Sequence, residues 1–282
     1  MPEALVPTER LEANLSRPNQ VVVDCSWYLP EAKRSGRDEY ISRHIPGARF
    51  LDLNDISDAG SPYANMMPPP EQFARVVGDL GIGHATDVIV YDAGYVSARI
   101  WWMFRTFGHQ RVHILDGGIR KWVAEGRSVE NGEPAPIAAL PFTATLDETA
   151  IARWQDVLQS LEYGSCSIAD ARTAERFTGA LSSGYPGVPG GHIPGSVNLP
   201  WNRFLKGDFS FVSPEAARSL FDAAGVDPQK PVIATCGSGV TAAILVLMLE
   251  RLGVEGSQLY DGSWHQWAQQ PDLPKSSIAP SL

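Results

Sequence analysis

Short unbroken apolar runs recur along the chain, separated by longer segments in which apolar residues return every three or four positions. In the first half the runs are residues 21–24, 88–91 and 113–115; in the second they are 167–170, 232–235 and 258–260. Runs this short, without alternation, predict strands buried on both faces. Helical spacing predicts helices over 70–80 and 97–107, the latter closed by Gly108. It predicts two more over 213–224 and 241–252, the latter closed by Gly253. Ser213 fits as an N-cap, with Pro214 in the first turn. Residues 8–15 and 151–161 carry helical spacing too, and each opens one half. Strands alternating with helices predict an α/β fold, with a mostly parallel five-stranded sheet in each half and helices on both faces.

The halves repeat one another. Asp24, His44-Ile45-Pro46-Gly47, Asp92 and Asp116-Gly117-Gly118 of the first half return as Asp170, His192-Ile193-Pro194-Gly195, Cys236 and Asp261-Gly262-Ser263 of the second. The order is the same and the offset stays nearly constant. Four pairs in one register predict two copies of one fold. The expected division is a first domain over 1–126, a linker over 127–150 broken by Asn131-Gly132, Pro134, Pro136 and Pro141, and a second domain over 151–282.

Composition narrows what such a molecule does. A net charge of −9 and 20% charged residues describe an acidic globular chain, for which no nucleic-acid partner is expected. No apolar stretch reaches bilayer-spanning length and Met1-Pro2-Glu3-Ala4-Leu5 has no secretory pattern, so a cytoplasmic protein without a membrane partner is expected. Cys25, Cys166 and Cys236 are an odd, sparse set, which speaks for a reducing compartment and against a disulfide framework.

One of these cysteines stands where chemistry is expected. Cys236-Gly237-Ser238-Gly239-Val240-Thr241-Ala242 joins an apolar strand to an apolar helix, so it lies at the carboxyl edge of the sheet, where open α/β folds bind ligands. Glycines let the backbone curl its N–H groups inward, and the helix N-terminus adds positive potential; both favour a thiolate nucleophile. No second Cys or His stands at ligand spacing, so neither a metal nor another cofactor is expected. A phosphatase built on this loop would need an arginine six positions after the cysteine, where Ala242 stands. The first copy has Asp92 in place of the cysteine. It offers no thiol nucleophile, so one domain is expected to work and the other to support it.

The cysteine loop, the paired His-Ile-Pro-Gly segments, the two Asp-Gly-x-x-x-x-Trp segments, and Ser26-Trp27-Tyr28-Leu29-Pro30, Ser61-Pro62-Tyr63 and Trp101-Trp102-Met103-Phe104-Arg105 together resemble the two-domain rhodanese superfamily, nearest its 3-mercaptopyruvate sulfurtransferases. The resemblance implies an enzyme that moves sulfur from 3-mercaptopyruvate through a Cys236 persulfide, releasing pyruvate. Its acceptor would be a thiol such as thioredoxin or glutathione, or cyanide. Thiosulfate-using relatives carry basic residues after the cysteine, whereas Gly237 and Ser238 are neutral here. Thiosulfate:cyanide transfer and a non-catalytic persulfide carrier or binding module are the alternatives. The resemblance further implies Ser238, His44 and Asp38 as a hydroxyl, imidazole and carboxylate relay, with Glu39 as the alternative acid. His192, recurring at the place of His44, is expected to be structural. For the substrate it implies Arg176 and the loop residues Gly237, Gly239, Val240 and Thr241. Tyr185 stands where the family has a second arginine and brings no charge.

Overall fold

In the computed structural model, which describes residues 3–227 and 230–277, the chain forms two compact units. The first contains β1 (Leu5–Val6), α1 (Thr8–Glu12), β2 (Gln20–Asp24), α2 (Gly36–Ser42), β3 (Arg49–Phe50), α3 (Pro70–Asp79), β4 (Asp87–Tyr91), α4 (Ser97–Thr106), β5 (Val112–Leu115) and α5 (Gly118–Ala124). The second repeats the series with β6 (Ile151–Ala152), α6 (Trp154–Tyr163), β7 (Ser167–Asp170), α7 (Ala174–Thr178), β8 (Val197–Asn198), α8 (Pro214–Ala223), β9 (Val232–Thr235), α9 (Ala242–Arg251), β10 (Gln258–Tyr260) and α10 (Ser263–Trp267). The sheets run β1-β5-β4-β2-β3 and β6-β10-β9-β7-β8, and every pairing is parallel.

The apolar runs form the central strands. Val22, Val23, Val88 and Val90 are buried in the first unit, and all four residues of β9 are buried in the second. α9 has Ala242 through Leu249 buried, which explains why its sequence is apolar all round rather than striped. α3 and α8 instead carry a one-sided apolar stripe, with Phe73 and Val77 inward on one and Ala217 and Phe221 on the other. Ser213 caps α8 by accepting from the Ala216 N–H.

Two expectations shift at their edges. The segment predicted as a helix from 151 begins as β6, which pairs with β10, and the helix starts only at Trp154. The helix predicted over 8–15 closes after Glu12. The division of the chain is not a single cut. Gly60–Met66 lies in the first half of the sequence but belongs to the second unit, and Lys206–Phe211 belongs to the first. Residues 127–147 run as an extended strap tied to the first unit. Glu130 pairs with His44 through both backbone groups, Leu140 donates to the Gly78 carbonyl, and Thr145 to that of Phe107.

Candidate active site

β9 ends at Thr235, and the chain turns through Cys236–Thr241 into α9 at the carboxyl edge of the sheet. Cys236 is buried, at 1% exposure. Gly239 takes a φ of +78°, a left-handed conformation that a side chain would strain. Val240 is buried, and Thr241 caps α9 through its backbone without using its hydroxyl.

A residue from the next strand-to-helix turn pins this loop. Ser263 Oγ accepts from the N–H groups of Cys236 at 3.1 Å and Gly239 at 3.0 Å, and donates to the Tyr260 carbonyl at 2.8 Å. The N–H groups of Trp264 and His265 bond the carbonyls of Cys236 and Gly237. Ser263 is held at a φ of +46°, where its first-copy counterpart is Gly118, also left-handed. A non-glycine residue there costs on the order of 1 kcal/mol, and the hydroxyl's three hydrogen bonds offset that cost.

Ser238 sits at the centre of a polar cluster. Its Oγ accepts from the Tyr185 hydroxyl at 2.5 Å and from the Asn65 carboxamide at 2.7 Å. The Tyr185 ring lies over Gly237, whose position would bring a Cβ within 3.6 Å of Cε2. His265 completes the group. Its Nδ1 accepts from the Ala64 N–H at 2.8 Å, so the ring proton resides on Nε2, and its ring tilts against Tyr185 at 4.5 Å. Burial pushes the His265 imidazole below its ordinary pKa, which keeps it neutral. Arg176 donates to the Ser182 carbonyl, and its guanidinium lies against Gly184, next to Tyr185. The Gly184 φ of +89° lets the loop fold over that arginine.

Thus Cys236, Gly237, Ser238, Gly239, Val240, Thr241, Tyr185 and Arg176 come together in one unit. Within this unit the groups bonded to Ser238 Oγ are a carboxamide and a phenol. His44 puts Nδ1 2.8 Å from the Tyr40 carbonyl and stacks on the Tyr40 ring. His192 does the same with Phe177, at 3.0 Å and stacked, and pairs its backbone with Ser276. A histidine making the same Nδ1 bond and ring stack in both copies holds a turn, a task that occupies Nδ1 alone. Asp38 lies in the first turn of α2, its N–H capped by Ser35, on the wall of a cavity of about 680 Å³ within the first unit. Glu39, the alternative acid, is taken by Arg34 and the Tyr28 hydroxyl. Asn65, Ser263 and His265 escaped the sequence reading. The one signal for Ser263 was a serine aligned on a glycine of the first copy.

In the first unit Asp92 turns its carboxylate back onto its own loop. It accepts from the N–H groups of Gly94, Val96 and Ser97, so the loop's anion-binding amides are already filled. Among the described residues no cluster of side chains is suited to hold a metal ion.

Comparison with known proteins agrees with this architecture. The model of the rhodanese-like domain matches residues 7–125 and 154–270. Human 3-mercaptopyruvate sulfurtransferase is 43% identical over 87% of this chain and 84% of its own length, and bovine thiosulfate sulfurtransferase is 41% identical over 94% and 91%. The crystal structure of SseA from Escherichia coli, described as a 3-mercaptopyruvate sulfotransferase with the rhodanese fold, superposes with a TM-score of 0.85 at 35% identity, covering 93% of this chain and 98% of that one. With one copy of the domain in each half, the chain belongs to the rhodanese family.

Proposed function

We propose that this protein is a sulfurtransferase that takes sulfur from 3-mercaptopyruvate onto Cys236 and releases pyruvate. The observation that carries the reading is a buried cysteine at the head of a loop pinned through Ser263, at the one of two matched loops not filled by its own carboxylate. The human and Escherichia coli relatives, both described as acting on 3-mercaptopyruvate, support the donor.

The step balances without an outside oxidant or reductant. The Cys236 thiolate attacks the donor's sulfur, an S–S bond forms and the C–S bond breaks. The departing electron pair goes to the methylene carbon and is shared with the ketone as an enolate. The proton of the donor's thiol ends on that carbon, giving the methyl group of pyruvate, and the outer sulfur stays on Cys236 as a persulfide anion. Backbone N–H groups and the start of α9 suit that anion. Arg176 is the cation proposed for the donor's carboxylate. The persulfide then passes to a thiol, such as thioredoxin or glutathione, or to cyanide. Three cysteines without a disulfide fit a reducing cytoplasm, and no helix among the described residues is long and apolar enough to cross a membrane.

Thiosulfate is the second reading, favoured by the bovine relative and by the uncharged Tyr185 beside Arg176. Offering each donor with cyanide and measuring thiocyanate separates the two. Mercaptopyruvate is expected to be the faster donor, with pyruvate formed in equal amount. A large preference for thiosulfate would overturn the donor assignment.

A further inference from the structure

The hydrogen bonds on Ser238 determine what that hydroxyl does. Its oxygen accepts from both Asn65 Nδ2 and the Tyr185 hydroxyl, which occupies its two acceptor positions and leaves its own proton as the remaining hydrogen-bonding function. Ser238 is 3% exposed and two residues from Cys236, so water is a poor competitor for that proton. Tyr185 is held in turn by ring contact with His265 and by its place over Gly237. Because His265 Nδ1 is taken by the Ala64 N–H, the imidazole is a fixed wall of the site and has no lone pair to offer Tyr185.

Resting on the mercaptopyruvate reading, we infer that Tyr185 is the proton source for the departing carbon and acts through Ser238, with Asn65 as the residue that positions it. As the C–S bond breaks, Ser238 gives its proton to the enolate carbon, the Tyr185 proton moves to Ser238 Oγ, and the phenolate recovers a proton from the thiol originally on the donor. A phenol is a weak acid and an enolate carbon a much stronger base, so the transfer runs downhill. The departure from the family's arginine at Tyr185 is then more than a lost charge. It replaces a substrate contact with a proton donor.

The test uses the two half-reactions of the full chain. Pyruvate release from mercaptopyruvate demands a proton. Discharge of a persulfide preloaded on Cys236 with inorganic polysulfide, read as thiocyanate formed from cyanide, does not. Tyr185→Phe is expected to lower kcat for pyruvate release by about 10²-fold while KM moves by less than about threefold. The loss in cyanide discharge should be at least about tenfold smaller than the loss in pyruvate release. Asn65→Ala should follow in the same sense, with a loss nearer tenfold. Equal losses in the two half-reactions would make Tyr185 a structural residue and overturn the relay. Wild-type protein that discharges persulfide but releases no pyruvate from mercaptopyruvate would overturn the donor reading itself, an outcome distinguishable from the first.

Discussion

The loops Asp92–Ser97 and Cys236–Thr241 occupy the same place in two copies of one fold, yet they resolve the same electrostatic problem in opposite ways. Each gathers backbone N–H groups at a helix start, where an anion is wanted. The first unit supplies its own, the Asp92 carboxylate, which bonds three of those amides. The second leaves the anion to chemistry and steadies its loop from outside, through Ser263. A loop that satisfies itself is stable and inert, whereas one braced by a neighbour keeps room for a reacting atom.

The largest effect expected from breaking this comparison is at the cysteine. Cys236→Ser should cost more than about 10³-fold in turnover and remove the persulfide's mass increment of about 32 on loading, with the fold intact. Adding Asp92→Cys to that variant should not restore turnover, because Gly118 offers no hydroxyl to brace the first loop. Recovered activity, measured as thiocyanate or pyruvate, would show that the two loops are interchangeable.

The buried aspartates that end β2 and β7 sharpen the comparison next. Asp170 is bridged by Arg172, Nη2 to Oδ2 at 2.6 Å with both side chains buried. Arg172→Met should therefore strand that carboxylate and cost about 3–5 kcal/mol, read from urea unfolding. Asp24 takes hydrogen bonds from Ser26 and Tyr91, and among the described residues no ion pair joins it to a cation. Burial first, with the nearby Asp92 charge adding, raises its pKa to about 6 against these bonds. The folded state thus holds this proton more tightly than the unfolded chain. The stability it confers is complete below about pH 3.8 and is lost as pH rises through about 6. Asp24→Asn should flatten that slope by on the order of 3 kcal/mol and be better tolerated at pH 7.5 than Arg172→Met. An unchanged slope would show that Asp24 titrates alike in both states.

The smallest expected effect is at the brace. Ser263→Ala keeps the left-handed strain and loses three hydrogen bonds, at about 2 kcal/mol. Ser263→Gly relieves the strain and should be about 1 kcal/mol the more stable of the two, with both slower in sulfur transfer. The converse, Gly118→Ser, places a Cβ 2.2 Å from the Asp92 carbonyl and should destabilise the first unit. Equal midpoints for the two Ser263 variants would remove strain from the account.

What the sequence disclosed follows from what is local. The central strands, α3, α4, α8 and α9 were legible because burial on two faces or one leaves a periodic trace, and the repeat made Cys236 against Asp92 visible. The two-residue strands β1, β3, β6 and β8 carry no period, since parallel partners far along the chain create them. The turn-holding contacts of His44, its stacking on Tyr40 and its bond to the Tyr40 carbonyl, leave no trace in the sequence, where an imidazole suits the expected relay equally well. Asn65 was silent because a carboxamide advertises no chemistry until a partner is placed beside it.

Gly60–Met66 lies within the first copy of the sequence but packs with the second unit and brings Asn65 to Ser238. A polypeptide cut at the linker would retain Cys236, Ser263 and Tyr185 and lose that carboxamide. The halves of this gene are consequently free to diverge but not to be shuffled as modules. A recombination that exchanged the first half for a foreign copy would deliver the cysteine with a stranger's residue against its serine.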